Sequence, residues 1–165
     1  MRKKINRERF EKYTPPGIEF ANQLKFCLIG LSAAFGWSWS YLAKYLTARA
    51  NLYEYSLVGQ VLREGAVITD FSQLVHDGLD SFDGFLMFYI VMLGMMVYHY
   101  LYYYQGSKSI YLMRRLPDRW EMHRRSATLP SMAILIGALT EAALWLLYYG
   151  IYQVCTPPQC LPLYY

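Results

Sequence analysis

The sequence predicts an all-α integral membrane protein: three transmembrane helices with short amphipathic helices beside them, forming a single membrane domain over residues 1–165. Three observations lead there. Of its residues 55% are hydrophobic and 18% aromatic while only 17% are charged, an apolar excess over soluble domains. Three apolar runs, about 24–46, 85–104 and 130–154, are each long enough to cross a hydrocarbon core of ~30 Å at ~1.5 Å per residue. The charges are also segregated. The net +4 arises from two basic blocks while the acids gather in a third region, as in the loops of a membrane protein rather than a nucleic-acid surface.

Residues 1–23 carry Arg2, Lys3, Lys4, Arg7, Arg9 and Lys12 before a Thr14-Pro15-Pro16-Gly17 break. Ile5, Phe10 and Tyr13 allow a short amphipathic helix on the membrane surface, and a solvated basic tail explains the same residues equally well. The first span, about 24–46, has Lys25 and Lys44 near its ends, where long side chains snorkel to the headgroups. Ala48-Arg49-Ala50 mimics a signal-peptidase site, but the preceding run exceeds a signal h-region of roughly 7–15 residues and contains Trp37 and Trp39. Gly30, Ser32, Ala33, Ala34 and Gly36 cluster in this span, and small residues let a neighbouring helix approach closely.

Residues 47–84 hold Glu54, Glu64, Asp70, Asp77, Asp80 and Asp83 against Arg49 and Arg63 alone, the balance of an outer loop. Thr69 or Asp70 is placed to cap a short helix with Phe71, Leu74 and Val75 on one side, stopping near Gly78. His76 and Asp77 are expected to face water, because adjacent helical side chains diverge too far to act as a catalytic pair.

The second and third spans, about 85–104 and 130–154, carry aromatic clusters at Tyr98–Tyr104 and Trp145–Tyr152, residues that favour the headgroup boundary. Six Lys/Arg precede the first span and six follow the second, whereas the loop between those spans has two. The N-terminus and the loop 105–129 therefore belong in the cytoplasm and the C-terminus outside, in a multi-pass protein of the bacterial inner membrane. The proline-rich tail then places Cys155 and Cys160 in an oxidising space, close enough in sequence to pair. Free thiols or metal ligands are the alternatives, although no histidine or carboxylate in the tail completes a metal site.

Two ionisable groups fall at membrane depth: Glu141 near the middle of the third span and His99 toward the cytoplasmic end of the second. Buried charge is expensive there, so both are candidates for a substrate path, with a neutral Glu141 bonded to a neighbouring helix as the structural alternative. The chain has no P-loop, nucleophile elbow, paired zinc-ligand spacing or Gly-rich dinucleotide turn, so it is not expected to be an enzyme or to hold a cofactor of its own.

The basic loop carries the main functional clue. It reads Gly106-Ser-Lys-Ser-Ile-Tyr-Leu-Met-Arg-Arg-Leu-Pro-Asp-Arg-Trp-Glu121, with Ile110, Met113 and Leu116 spaced for one face of a short helix that Pro117 ends. This loop, preceded by a basic segment, a span, an outer loop and a span ending in tyrosines, and followed by a third span, resembles the first half of the exporter-type permeases of ABC transporters. The resemblance covers nearly the whole chain. It implies a membrane subunit whose loop 106–128 couples a separate ATP-binding subunit to export, with Lys108, Arg114, Arg115, Leu116 and Pro117 facing the ATPase. Trp120 would add apolar contact, and ATP would be bound by the partner. Such permeases usually have six spans, so three imply assembly with further copies or other membrane subunits, or a relative that no longer transports. A non-transporting accessory or assembly subunit is the alternative, and a membrane-embedded enzyme using Glu141 or His99 is a third reading.

Overall fold

The computed structural model describes residues 20–56, 59–78, 80–104 and 119–162. The apolar runs fold as helices because a helix satisfies its own backbone polar groups wherever water is excluded. In chain order the elements are α1 (Phe20–Ser38), α2 (Ser40–Ala50), β1 (Tyr53–Ser56), β2 (Gly59–Leu62), α3 (Phe71–His76), α4 (Asp83–Tyr104), α5 (Arg119–Cys155) and a 3-10 turn, Pro158–Cys160. Three stretches are long and apolar enough to cross a membrane: Phe20–Ala50, Asp83–Leu101 and Ser126–Cys155.

The first of these joins α1 to α2 through Trp39, whose backbone is itself helical, with φ −63° and ψ −18°. The turn tightens there, since Trp39 N bonds Gly36 O and the Ser38 hydroxyl donates to Phe35 O at 2.7 Å. At the other end of the chain, α5 begins well before the expected start at Pro130, and residues 119–129 are helix rather than loop. Pro130 lies inside α5, where it can give no N–H to the Ser126 carbonyl one turn earlier, yet the helix continues through it.

The chain divides into two compact units, the first drawn from Met1–Ala33 and Phe85–Ala138, the second from Ala34–Gly84 and Leu139–Tyr165. In the first unit α1, α4 and α5 close around Phe88 and Met92, both buried. A methyl group at Gly30 would lie 3.0 Å from Phe88 Cδ2, and one at Gly137 would lie 3.0 Å from Phe88 Cε1 on the opposite edge of the same ring. Glycine at both places is what lets the ring sit between two backbones.

The second unit has an aromatic core. Tyr41 and Tyr45 of α2, Phe71 of α3 and Tyr148 and Tyr152 of α5 are buried together. Tyr41 stacks on Tyr148 at 4.7 Å between centroids, and Phe71 meets Trp145, Tyr149 and Tyr152 edge-on at 5.2–5.7 Å. Such pairs add ~0.5–1.5 kcal/mol each beyond burial. Tyr148 and Tyr152 are thus inward-facing core residues rather than members of a headgroup belt, while Trp145 and Tyr149 remain exposed. Their hydroxyls are tied within the unit: Ser38 to Tyr148 at 3.1 Å, Tyr45 to Thr156 at 3.2 Å, and Tyr152 donating to Thr69 O at 3.2 Å.

The short helix α3 forms as its sequence predicts. Asp70 accepts from Phe71 N at 2.8 Å, Phe71, Leu74 and Val75 are buried, and Gly78 turns the chain away with φ +69°. A two-stranded antiparallel hairpin, absent from the all-α expectation, pairs Tyr53 with Leu62 and Glu54 with Val61. Leu52 O accepts from Arg63 N at its open end, and Ile68 N donates to Cys160 O at 2.9 Å, which ties the following segment to the tail.

Candidate functional site

His99 is the sequence-singled candidate that the fold surrounds with chemistry. Its side chain is 2% exposed on α4, and Gln23 of α1 lies against it, with Gln23 Nε2 and His99 Nε2 2.6 Å apart. Ser126 of α5 is buried on the same cluster, and its backbone lies beside the imidazole. Three helices therefore each contribute one buried polar side chain. In each, one atom lacks a hydrogen-bond partner: Gln23 Oε1, His99 Nδ1 and Ser126 Oγ. Leaving a buried polar group unsatisfied costs about 1–3 kcal/mol, so three together are expensive unless they have work to do.

Pro130 lies one turn further along α5. It is fully buried, and the Ser126 carbonyl that an ordinary residue 130 would have bonded is left beside the ring. Nearby, the Thr128 hydroxyl donates back to Arg124 O. Neither Gln23 nor Ser126 stands out in sequence, since each is an uncharged polar residue near a span end. The available signal was the proline four residues after a serine.

Glu141 is half-buried on α5 and belongs to the second unit, whereas His99 belongs to the first. Of the coupling candidates, Lys108, Arg114, Arg115, Leu116 and Pro117 lie outside the described residues. Trp120 falls in the first turn of α5, which makes its backbone helical.

The expected Cys155–Cys160 bridge is not formed, and both thiols are free. The reason is directional: Cys155 ends α5 facing outward, while the 3-10 turn carries Cys160 inward, where its carbonyl receives the Ile68 N–H. On α3, His76 pairs with Asp80 at 2.6 Å rather than with Asp77, on an exposed surface. Asp77 and Asp80 instead lend their carbonyls to Lys44 Nζ at 2.7 Å and Trp37 Nε1 at 3.2 Å, fixing the loop before α4.

Among the described residues no group of three or more His, Cys, Asp or Glu is gathered to hold a metal. Comparison with protein families, curated proteins and solved structures finds no match to this chain.

Proposed function

We propose that this chain is a three-span integral membrane subunit and that it serves as the membrane part of an ABC-type transporter. The observation that carries the first half is the exposure of the spans. Only 22%, 22% and 17% of their most apolar stretches are buried in the protein. Large side chains such as Ile29, Leu86, Ile90, Leu139 and Leu146 are left open. In water this surface would drive aggregation, whereas lipid or neighbouring membrane helices cover it without penalty. The basic blocks then set the N-terminus and loop 106–128 in the cytoplasm.

The transport half rests on the loop sequence. A chain without a nucleotide motif draws on ATP only through a partner, and a basic loop with the apolar residues Ile110, Met113 and Leu116 suits such a contact. The buried polar cluster, near one end of each span, is in keeping with the same reading, because polar groups buried among membrane helices mark paths for polar cargo or protons. The accessory-subunit reading has one observation in its favour. A methyl group at Gly36 or at Gly94 would meet nothing within 4 Å, leaving two places where a neighbouring helix could approach.

One experiment addresses both halves. The tagged chain is expressed in its host and its membranes are washed with alkaline carbonate. Affinity-captured material is then assayed for ATP hydrolysis, with the Leu116→Asp chain alongside. Retention in the membrane, with ATPase activity captured by the unaltered chain and lost with Leu116→Asp, is the expected result. Extraction by carbonate would end the membrane reading, and a membrane-held chain without captured ATPase would be assigned to the accessory role. On a background lacking Cys27, Cys155 and Cys160, externally added thiol reagent should reach Asp77→Cys and miss Arg119→Cys; the reverse overturns the orientation.

A further inference from the structure

We propose that Gln23, His99 and Ser126 form a reversible proton-binding site in which the Gln23 amide turns over to match the charge on the His99 ring. The inference does not require an ATPase partner. It rests on which atoms are left without partners around one buried imidazole.

In the neutral form the Gln23 N–H donates to His99 Nε2 across the 2.6 Å contact. The ring proton is then on Nδ1, and the Ser126 backbone lies beside the ring. Nδ1 makes no hydrogen bond of ordinary geometry as it stands, and a small rotation of the ring toward the carbonyl freed by Pro130 would supply one. Adding a proton to Nε2 makes both ring nitrogens donors. The amide nitrogen can no longer face Nε2, but Gln23 Oε1 can, and that oxygen is buried without a partner. Turning the amide by a half-rotation exchanges two groups of nearly equal size, so the change needs no repacking. The protonated ring would then have an acceptor at each end: Gln23 Oε1 and the Ser126 carbonyl. The proton comes from bulk water through brief local opening and returns the same way, and no other bond is made or broken.

On α1 the titratable or charged residues within a turn of Gln23 are Lys25, which is exposed, and Cys27, whose thiol is turned to Met92 Sδ at 3.7 Å. On α5 the titratable or charged residues within a turn of Ser126 are His123, Arg124 and Arg125, of which Arg124 is exposed. On α4 itself Tyr98 and Tyr100 flank His99 and are exposed.

The test is 15N spectroscopy of histidine and glutamine side chains in the full chain, reconstituted in lipid nanodiscs, between about pH 8.5 and about pH 5. The chain has three histidines, His76, His99 and His123, and the His99 signals are those lost in His99→Gln. The expected result is a change of His99 from a single ring proton on Nδ1 to protons on both nitrogens, with the Gln23 amide signal moving over the same pH interval. In Gln23→Leu, which keeps volume but offers no acceptor, the His99 transition should fall by about one pH unit or more while His76 is unmoved. A His99 ring that holds one protonation state throughout would overturn the site. So would a transition that ignores Gln23→Leu. Should that variant not fold, the unaltered chain still decides: a ring that titrates while the Gln23 amide stays still rules out the turnover.

Discussion

Gly84 is the second residue of α4, and the space beside it is already taken. A methyl group there would lie 2.7 Å from Trp37 Cβ, 3.0 Å from Trp37 Cγ and 3.2 Å from Ala34 Cα. None of these atoms is the free end of a flexible side chain. Trp37 is further held by its indole N–H on Asp80 O, so relief requires α1 and α4 to move apart locally. Overpacking of this kind costs about 1–3 kcal/mol. Replacing glycine by alanine inside a helix returns up to ~1 kcal/mol, and less in a first turn, so Gly84→Ala should destabilise by about 1–2 kcal/mol net. Gly94 in the middle of the same helix is the control. A methyl group there meets nothing within 4 Å, so Gly94→Ala keeps the helix gain and loses no packing. Thermal unfolding of the purified chain in one detergent reads both. At ~2–4 °C per kcal/mol for a chain of this size, Gly84→Ala should lower Tm by roughly 2–8 °C and Gly94→Ala should leave it unchanged or raise it by up to ~4 °C. A Gly84→Ala protein as stable as Gly94→Ala would refute the close approach of α1 and α4 at this point.

The same assay tests two other contacts. Gly30→Ala should cost about 1–2 kcal/mol through the Phe88 ring edge 3.0 Å away, and Phe88→Leu added to it should recover part of the loss, giving a coupling of at least ~0.5 kcal/mol. Additive losses would mean that the ring is not held against Gly30. Tyr41→Phe should be neutral or stabilising by up to ~1 kcal/mol, since the Tyr41 hydroxyl is buried without a partner. Tyr148→Phe, which removes the bond to Ser38, should cost about 0.5–1.5 kcal/mol. The opposite order would show that the Tyr41 hydroxyl is bonded in solution.

Local signals in the sequence carried furthest where one residue type has one physical use. Thr69 or Asp70 before Phe71, Leu74 and Val75 reads as a capped amphipathic turn because a short side-chain oxygen can reach the first free N–H, and the fold uses Asp70 and buries those three residues. The apolar runs were legible for the same reason, except at Pro130, where the usual breaker is accommodated inside α5. Aromatic placement was less readable. Tyr148 and Tyr152 suit a headgroup boundary and a packed core equally, and only the arrival of Tyr41, Tyr45 and Phe71 decides for the core. The hairpin escaped because four-residue strands give too short an alternation to separate from loop. The candidate site was half visible: His99 stands out as a titratable group in an apolar run, whereas Gln23 and Ser126 acquire meaning only once three helices bring them together.

That convergence separates the His99 cluster from the other unsatisfied atoms of the fold. Ser40 Oγ, Tyr41 OH and Asp80 Oδ1 are also buried without partners, but each has a ready structural account. Tyr41 carries a large ring into an aromatic stack, where the ring contact outweighs a lost hydroxyl bond. Asp80 already holds His76 with its other oxygen. Ser40 sits in the first turn of α2, directly after the tightened bend. At His99 no comparable gain is present, because leucine at Gln23 or alanine at Ser126 would fill the space without stranding a polar atom. The Gln23 amide of α1 and the Ser126 backbone of α5 instead meet a single titratable ring, and Pro130 one turn along has no N–H to occupy the Ser126 carbonyl. The proton site we propose accounts for an arrangement that is poor for stability and well matched to two protonation states.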